Sequence, residues 1–169
     1  AKKILYDTGL AVKITSDTGK ALRAADVVIT VTSSVDTVIE PEDLKPGAVV
    51  CDVARPRDVS ARVAELRDDV LVIEGGVVEV PGNVNFNLNF GFPPGMAYAC
   101  MAETMILALE NRYESFTLGR ELTVEQVEEI DALGKKHGFK LGGFRSFGRA
   151  LTDEEIELIK KRAAQNKSA

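Results

Sequence analysis

The run Asp26-Val27-Val28-Ile29-Thr30-Val31-Thr32 constrains the fold more than any other segment. It is β-branched and lacks polar alternation, as expected of a parallel strand covered by helices on both faces. Similar runs follow at Ala48 to Ala54 (AVVCDVA) and Val70 to Ile73, and a shorter one precedes at Ala11 to Thr15. Strands are expected at all four. Helical patterns lie between them at Thr18 to Ala25 and Val59 to Leu66, with a helical turn at Pro41 to Leu44. Such alternation indicates βαβ units, so the expected class is α/β, with a Rossmann-like parallel sheet. Ala1 to Thr8 reads as the end of a helix that Gly9 stops.

The pattern changes after the last of these strands. Pro81 to Gly95 is rich in Asn, Phe, Gly and Pro and reads as a loop. Met96 to Phe116 reads as one long helix, with Pro94 at or near its first position. Thr123 to His137 is a second helix, opened by a capping box at Thr123 and Gln126 and closed by Gly138. Gly142 to Gly148 is a glycine-rich loop, and Thr152 to Ala164 a final charged helix with its own capping box. The expected organisation is a partial dinucleotide-binding domain over residues 1–80. Over residues 81–169, a loop and C-terminal helices pack on it.

In doubly wound sheets the ligand lies beyond the carboxyl ends of the strands, and G-x-G-x-x-G cradles its phosphates. This sequence has no such motif. Gly75 to Gly82 has the wrong spacing and no helix after it. Gly91 to Gly95 precedes a helix, but its prolines remove backbone donors. With the chain opening inside a helix, the expectation is that the first strands and the Gly-rich loop lie outside this sequence. A complete small α/β protein with an unusual entry is the alternative. Loss of those strands would expose two sheet edges, giving a poorly soluble chain or one paired with a partner.

Composition excludes several classes. The chain has 169 residues, 45% apolar and 28% charged, in keeping with a globular protein. The net charge of -5 and scattered basic residues give no nucleic-acid footprint. No apolar run nears the roughly 20 residues of a membrane span. Cys51 and Cys100 lack metal-ligand spacing and point to a reducing, cytoplasmic setting. A single histidine, His137, argues against a zinc site.

Four segments could carry chemistry. Thr32, Ser33 and Ser34 end the strongest strand, where small hydroxyl residues admit a ligand to the backbone; a plain turn is the alternative. Asp52 lies at the end of its strand and needs a partner, for which Arg55 and Arg57 are candidates. Asp58 reads as a cap for the next helix. Gly75 and Gly76 permit close backbone approach by a ligand ring, or simply make a turn. Cys100 is a potential nucleophile in the second turn of its helix, where the helix field is weak. Glu103 is one turn further on. On these residues alone, packing is the favoured reading of Cys100, ahead of chemistry. Cys51 reads as core, and His137 as a favourable helix C-terminal residue.

The segments DVVITVTSS, VVCDVARPRDV, VLVIEGGVVE, MAYACMAETMILALE and LTVEQVEEIDALGKKHGF together resemble a known family. They look like the C-terminal half of the long-chain acyl-(acyl-carrier-protein) reductases of cyanobacterial type, and like their shikimate or amino-acid dehydrogenase-like relatives. The resemblance covers roughly Ala24 to Phe139, with ACMAE and the downstream KHGF as its most specific parts. It implies that Cys100 attacks an acyl thioester, with Glu103 beside it, and that reduced NADP or NAD supplies hydride to release an aldehyde. It further implies cofactor contacts at Thr32, Ser33, Gly75 and Gly76, to which Ser34 and Arg55 are added as candidates by their place just after strands. The implied partner is an acyl thioester, carried on acyl carrier protein. The implied assembly is an oligomer, or a pairing with a separate N-terminal half. The ARPRDV stretch also resembles glutamyl-tRNA reductase. The segment after Phe139 matches nothing in these families.

Three readings stay open at this level. The first is a reductase working through a Cys100 thioester. The second is a shikimate or amino-acid dehydrogenase-like oxidoreductase without a covalent step. The third is a non-catalytic Rossmann-like interaction domain.

Overall fold

The computed structural model describes residues 2–89, 91–119 and 121–167. Ala1 and Phe90, which fall in the expected opening helix and the Pro81 to Gly95 loop, lie outside the described residues. The chain divides into two units. One runs up to Val72 and includes the segment from Asp153 onward; the other is Ile73–Thr152.

The first unit begins with α1 (Lys2–Thr8) and α2 (Thr18–Ala24), the latter capped by Asp17, which accepts from Lys20 N. The expected strand at Ala11 to Thr15 does not form. Its Val12 and Ile14 are exposed, and no neighbouring strand meets it. A strand needs a ladder partner for its backbone groups, which a short apolar pattern cannot supply alone.

The three richer runs do form a sheet. β1 (Val27–Thr30), β2 (Val49–Asp52) and β3 (Leu71–Glu74) lie in the order β1-β2-β3. The strands are parallel, with Val27 opposite Val49 and Thr30 opposite Asp52. Between β1 and β2 comes a 3-10 turn, Pro41–Asp43, and between β2 and β3 the short helix α3 (Ala61–Leu66). This is the α/β, Rossmann-like arrangement expected from the alternation.

Val28, Val50 and Val72 project from one face into a core with Leu22, Ile39, Val59 and Val63. The other face departs from expectation. Val27 is 64% exposed, Ile29 70% and Val31 70%. Helices cover only one side of β1, so its continuous β-branched run is half open. The final helix, α6 (Asp153–Lys167), brings Ile156, Ile159 and Ala163 to a pocket shared with Ala48, Val49 and Leu71. Asn166 Nδ2 donates to Asp69 Oδ2 at 3.1 Å, and Arg67 Nε donates to Asp69 Oδ1 at 2.7 Å. Burial raises the Asp69 carboxyl, but these bonds outweigh it and hold its pKa below the usual value.

In the second unit, β4 (Val77–Glu79) lies between β5 (Met96–Tyr98) and β6 (Lys140–Leu141), antiparallel to both. Gly142 N donates to Val77 O at 3.1 Å. A Cβ on Gly142 would stand 3.0 Å from Val77 Cγ1 and 3.1 Å from Val77 O, closer than most such contacts, so any larger residue requires Val77 to give way. Two helices follow the same sheet, α4 (Ala99–Leu109) and α5 (Val124–Lys136).

The capping box expected for α5 is present: Thr123 Oγ1 accepts from Gln126 N, and Gln126 Oε1 from Thr123 N. Its other end closes in a Schellman motif, with Phe139 N donating to Gly134 O and Gly138 N to Lys135 O. The expected loop at Gly142 to Gly148 contains a hairpin instead, β7 (Arg145–Ser146) and β8 (Arg149–Ala150). Phe147 and Gly148, both at positive φ, supply its two-residue turn.

Candidate functional site

At the carboxyl end of β1 the chain has built a buried carboxylate rather than a helix cap. Asp58 is fully buried, and its carboxylate accepts from the Thr30 hydroxyl, from Thr32 N at 3.0 Å and from the Thr32 hydroxyl at 2.6 Å. The N-cap of α3 is Ser60, two residues later. Burial alone would raise the Asp58 carboxyl, but hydrogen bonds from Thr30 and Thr32 outweigh it and lower its pKa.

Asp52, also buried, finds backbone partners: Ala54 N at 3.0 Å and Val59 N at 3.1 Å. These amides of the loop curl around the carboxylate. Arg55 donates to Ala54 O at 2.7 Å and is exposed. Thr32 is therefore a structural residue as well as a candidate ligand, since Ser34 N also donates to its hydroxyl at 3.1 Å. Ser33 is exposed and Ser34 half-buried. Cys51, expected in the core, is half-buried. Its side of β2 is the face shared with Ile29, which helices cover incompletely.

In the second unit, Glu74 ends β3 and is 5% exposed. It accepts from Gly148 N at 2.9 Å, so the β7–β8 turn is seated on it. Arg145, also 5% exposed, donates to Gly148 O and lies 5.6 Å from the centre of the Phe92 ring. Glu74 stands in the Glu74-Gly75-Gly76 motif read from the sequence, whereas its bond to Gly148, far along the chain, leaves no local pattern.

Gly76 has φ +78, with nothing within 4 Å of where a Cβ would stand. It keeps its turn through backbone freedom. Its carbonyl accepts from Ala99 N at 2.7 Å, fixing the first residue of α4.

The start of α4 differs from the expected Met96. Met96, Ala97 and Tyr98 pair with β4 as a strand, and Tyr98 is the N-cap. Cys100 is thus the second residue of the helix, in its first turn, and it is exposed. That turn is where backbone N–H groups lack intrahelical partners and the helix dipole is felt. The helix also ends earlier than expected, at Leu109. Glu103, one turn from Cys100 and half-buried, receives the Thr117 hydroxyl, whose oxygen lies 2.6 and 2.7 Å from its two carboxylate oxygens.

Beside Cys100 a groove of about 790 Å³ runs between α4 and α5. Its apolar lining includes Val78, Ala102, Ile106, Ile130 and Phe139, with Gly134 among them. On α5, Val127, Ile130 and Gly134 recur at i, i+3 and i+7, a helix-period signal that could have marked this stripe in advance. At the far end of the helix pair, His137 Nε2 and Lys136 Nζ both reach Glu110 Oε1. His137 therefore has a specific partner on α4 beyond its general affinity for a helix C-terminus. Hydrogen bonds from Lys136 and His137 hold the Glu110 carboxyl below its usual range.

Among the described residues no cluster of three or more His, Cys, Asp or Glu side chains could hold a metal ion. No described helix is long and apolar enough to cross a membrane.

Comparison with known proteins supports the resemblance read from the motifs. The family model described as shikimate / quinate 5-dehydrogenase matches residues 2–74. The chain is 38% identical over 153 residues to the aminotransferase PigE of Serratia sp. (strain ATCC 39006), a match covering 89% of this chain. It is 31% identical over 126 residues to the long-chain acyl-[acyl-carrier-protein] reductase of Synechococcus elongatus, covering 71% of this chain. The chain spans 18% and 36% of the lengths of these two relatives. The chain is thus similar both to shikimate dehydrogenase-like proteins and, more distantly, to the acyl reductase.

Proposed function

We propose that this chain carries the nucleophile of a nicotinamide-dependent reductase that converts an acyl thioester to an aldehyde. The observation that carries the reading is the position of Cys100, exposed in the first turn of α4 and hydrogen-bonded through its neighbour Ala99 to the Gly76 turn. Similarity to the cyanobacterial acyl reductase supports it.

The sulfur of Cys100 attacks the thioester carbonyl, and the acyl group passes to it as the carrier thiol leaves. The backbone N–H groups of Cys100 and Met101, in the first turn of α4, are donors for the oxygen that gains charge during this transfer. Glu103, one turn away, can receive the thiol proton; its engagement with Thr117 holds the carboxylate in place. A reduced nicotinamide supplies the hydride that, with a proton, releases the aldehyde and returns the sulfur to a thiol.

The residues offered to that cofactor are Thr32, Ser33, Ser34 and Arg55 in the first unit, and Gly75 and Gly76 in the second. Taken singly, Ser33 is exposed in its unit, and nothing lies within 4 Å of a Cβ position on Gly76 in the other, so each leaves room for a ligand. No Gly-rich phosphate turn is present in this sequence, so these residues fit the nicotinamide end of the cofactor alone. Acyl carrier protein as the carrier, and NADP or NAD as the cofactor, belong to the same proposal.

The test is intact-mass measurement after incubation with octanoyl-pantetheine. A mass gain of one acyl group is expected on the parent chain and on Cys51→Ala, and none on Cys100→Ser. Acylation that persists in Cys100→Ser refutes the covalent step. The match to shikimate / quinate 5-dehydrogenase favours a second reading, hydride transfer with no covalent intermediate. Under it, Cys100→Ser leaves oxidation or reduction of the substrate near the parent rate.

A further inference from the structure

We infer that the groove between α4 and α5 receives the hydrocarbon chain of the acyl group, and that Gly134 sets how long a chain fits. This rests on the reading of Cys100 as the acyl acceptor. Cys100 is itself part of the groove's lining, so a chain bonded to its sulfur starts inside it. From Cys100, α4 turns Ala102, Glu103 and Ile106 toward the groove. α5 faces them with Val127, Ile130 and Gly134, spaced at one helix stripe.

At 1.5 Å per residue, Ile106 lies about 9 Å along α4 from Cys100. A hydrocarbon chain therefore runs beside the apolar side chains of both helices before it reaches the level of Gly134. The volume of about 790 Å³ falls within the roughly 300–1,000 Å³ of small-molecule sites. Charge at the rim is internally matched, since Lys135 Nζ pairs with Asp131 Oδ2 at 2.5 Å. The wall thus favours an apolar occupant over an ionic one.

Gly134 is buried, and a Cβ placed on it would stand 3.5 Å from Ile106 Cδ1 and 3.9 Å from Phe139 Cβ. Those are ordinary contacts, so alanine is accommodated there. A leucine extends beyond them and takes the space of the chain. Glycine on a helix costs stability relative to alanine. Here its absent side chain leaves the groove open.

The experiment has two arms. The first measures Cys100 acylation by acetyl-, octanoyl- and dodecanoyl-pantetheine. The second measures binding of octanoic and dodecanoic acids to Cys100→Ser, where no covalent bond can form. Affinity in the second arm is expected to rise about four-fold per methylene buried, up to the length the groove holds. Gly134→Leu should lower dodecanoyl acylation and dodecanoate binding at least ten-fold, and acetyl transfer by a much smaller factor. Ile130→Ala, which widens the groove, should shift the preference toward the longer chain.

A Gly134→Leu chain with the parent's circular dichroism and the parent's chain-length profile overturns the inference. So does fatty-acid binding that falls as protein concentration rises, because a second copy then occupies the groove. Chain-dependent fatty-acid binding without any adduct overturns the covalent reading while the groove stands. Adduct formation equal for every length, without fatty-acid binding, overturns the groove and leaves the covalent reading intact.

Discussion

Asp58 shows how a residue's surroundings change its meaning. By position it reads as a helix cap, since an acidic residue just ahead of a helical pattern commonly plays that part. In the fold it reaches back to Thr30 and Thr32, some 26 to 28 residues earlier, and fills their hydrogen-bonding needs from a buried position. Hydrogen bonds from Thr30 and Thr32 hold its carboxyl below the usual aspartate range despite burial. A group with a depressed folded pKa contributes its full stability above the unfolded pKa and loses it as pH falls through the folded one. The contribution of Asp58 is therefore complete above about pH 4 and disappears on further acidification. Asp58→Asn should flatten the acid side of the stability curve and lower stability at neutral pH by about 1–3 kcal/mol, the cost of an imperfectly paired buried group. Urea midpoints at a series of pH values test this, and parallel curves for the two proteins would sink it. The wider reading of Thr32 as a ligand residue was legible from its place at a strand end. Its service to Asp58 was not, because hydrogen bonds across such separations leave no local pattern.

At the scale of elements, the second unit depends on how closely its pieces approach. β4 is a three-residue strand between two short neighbours, and Gly142 brings the chain against Val77. Gly142→Ala forces a Cβ onto both the side chain and the carbonyl of Val77 and should cost about 1–3 kcal/mol, as overpacking generally does. A urea unfolding midpoint equal to that of the parent would refute the account. The same short sheet explains why α4 starts at Ala99. Helix propensity allows Met96 to Tyr98 to join the helix, but β4 offers those residues ladder partners, and the tertiary pairing wins. That shift of three residues moves Cys100 from the second turn of a helix to the first. Where a helix begins is the least local of its properties, whereas α5, with its capping box and Schellman motif written in adjacent residues, begins and ends close to where its sequence indicates.

For the molecule as a whole, the face of β1 that carries Val27, Ile29 and Val31 is open, and the strand has a neighbour on only one side in its sheet. Exposed apolar strand edges of this kind template pairing with other chains. The chain is expected to self-associate as its concentration rises, and Ile29→Lys to reduce that association without loss of secondary structure. Sedimentation velocity over a hundred-fold or so concentration range compares the two. A monomer at every concentration, for the parent as well as the variant, would show that the open face is inert.

The sequence by itself determined the class of the fold, because β-branched runs alternating with short helices leave a parallel sheet as the economical way to bury them. It determined the outline of α5 too, since caps are written in neighbouring residues. The tertiary structure alone decided which face of β1 is covered, that Ala11 to Thr15 finds no ladder, and that Asp52 and Asp58 are satisfied by amides and hydroxyls of their own unit. It also decided that Cys100, Ile106, Ile130 and Gly134 line a single groove. Each of these depends on partners far along the chain. Periodicity and capping report the nearest turn of backbone, whereas burial, ladder pairing and cavity shape are set by whatever the chain brings alongside.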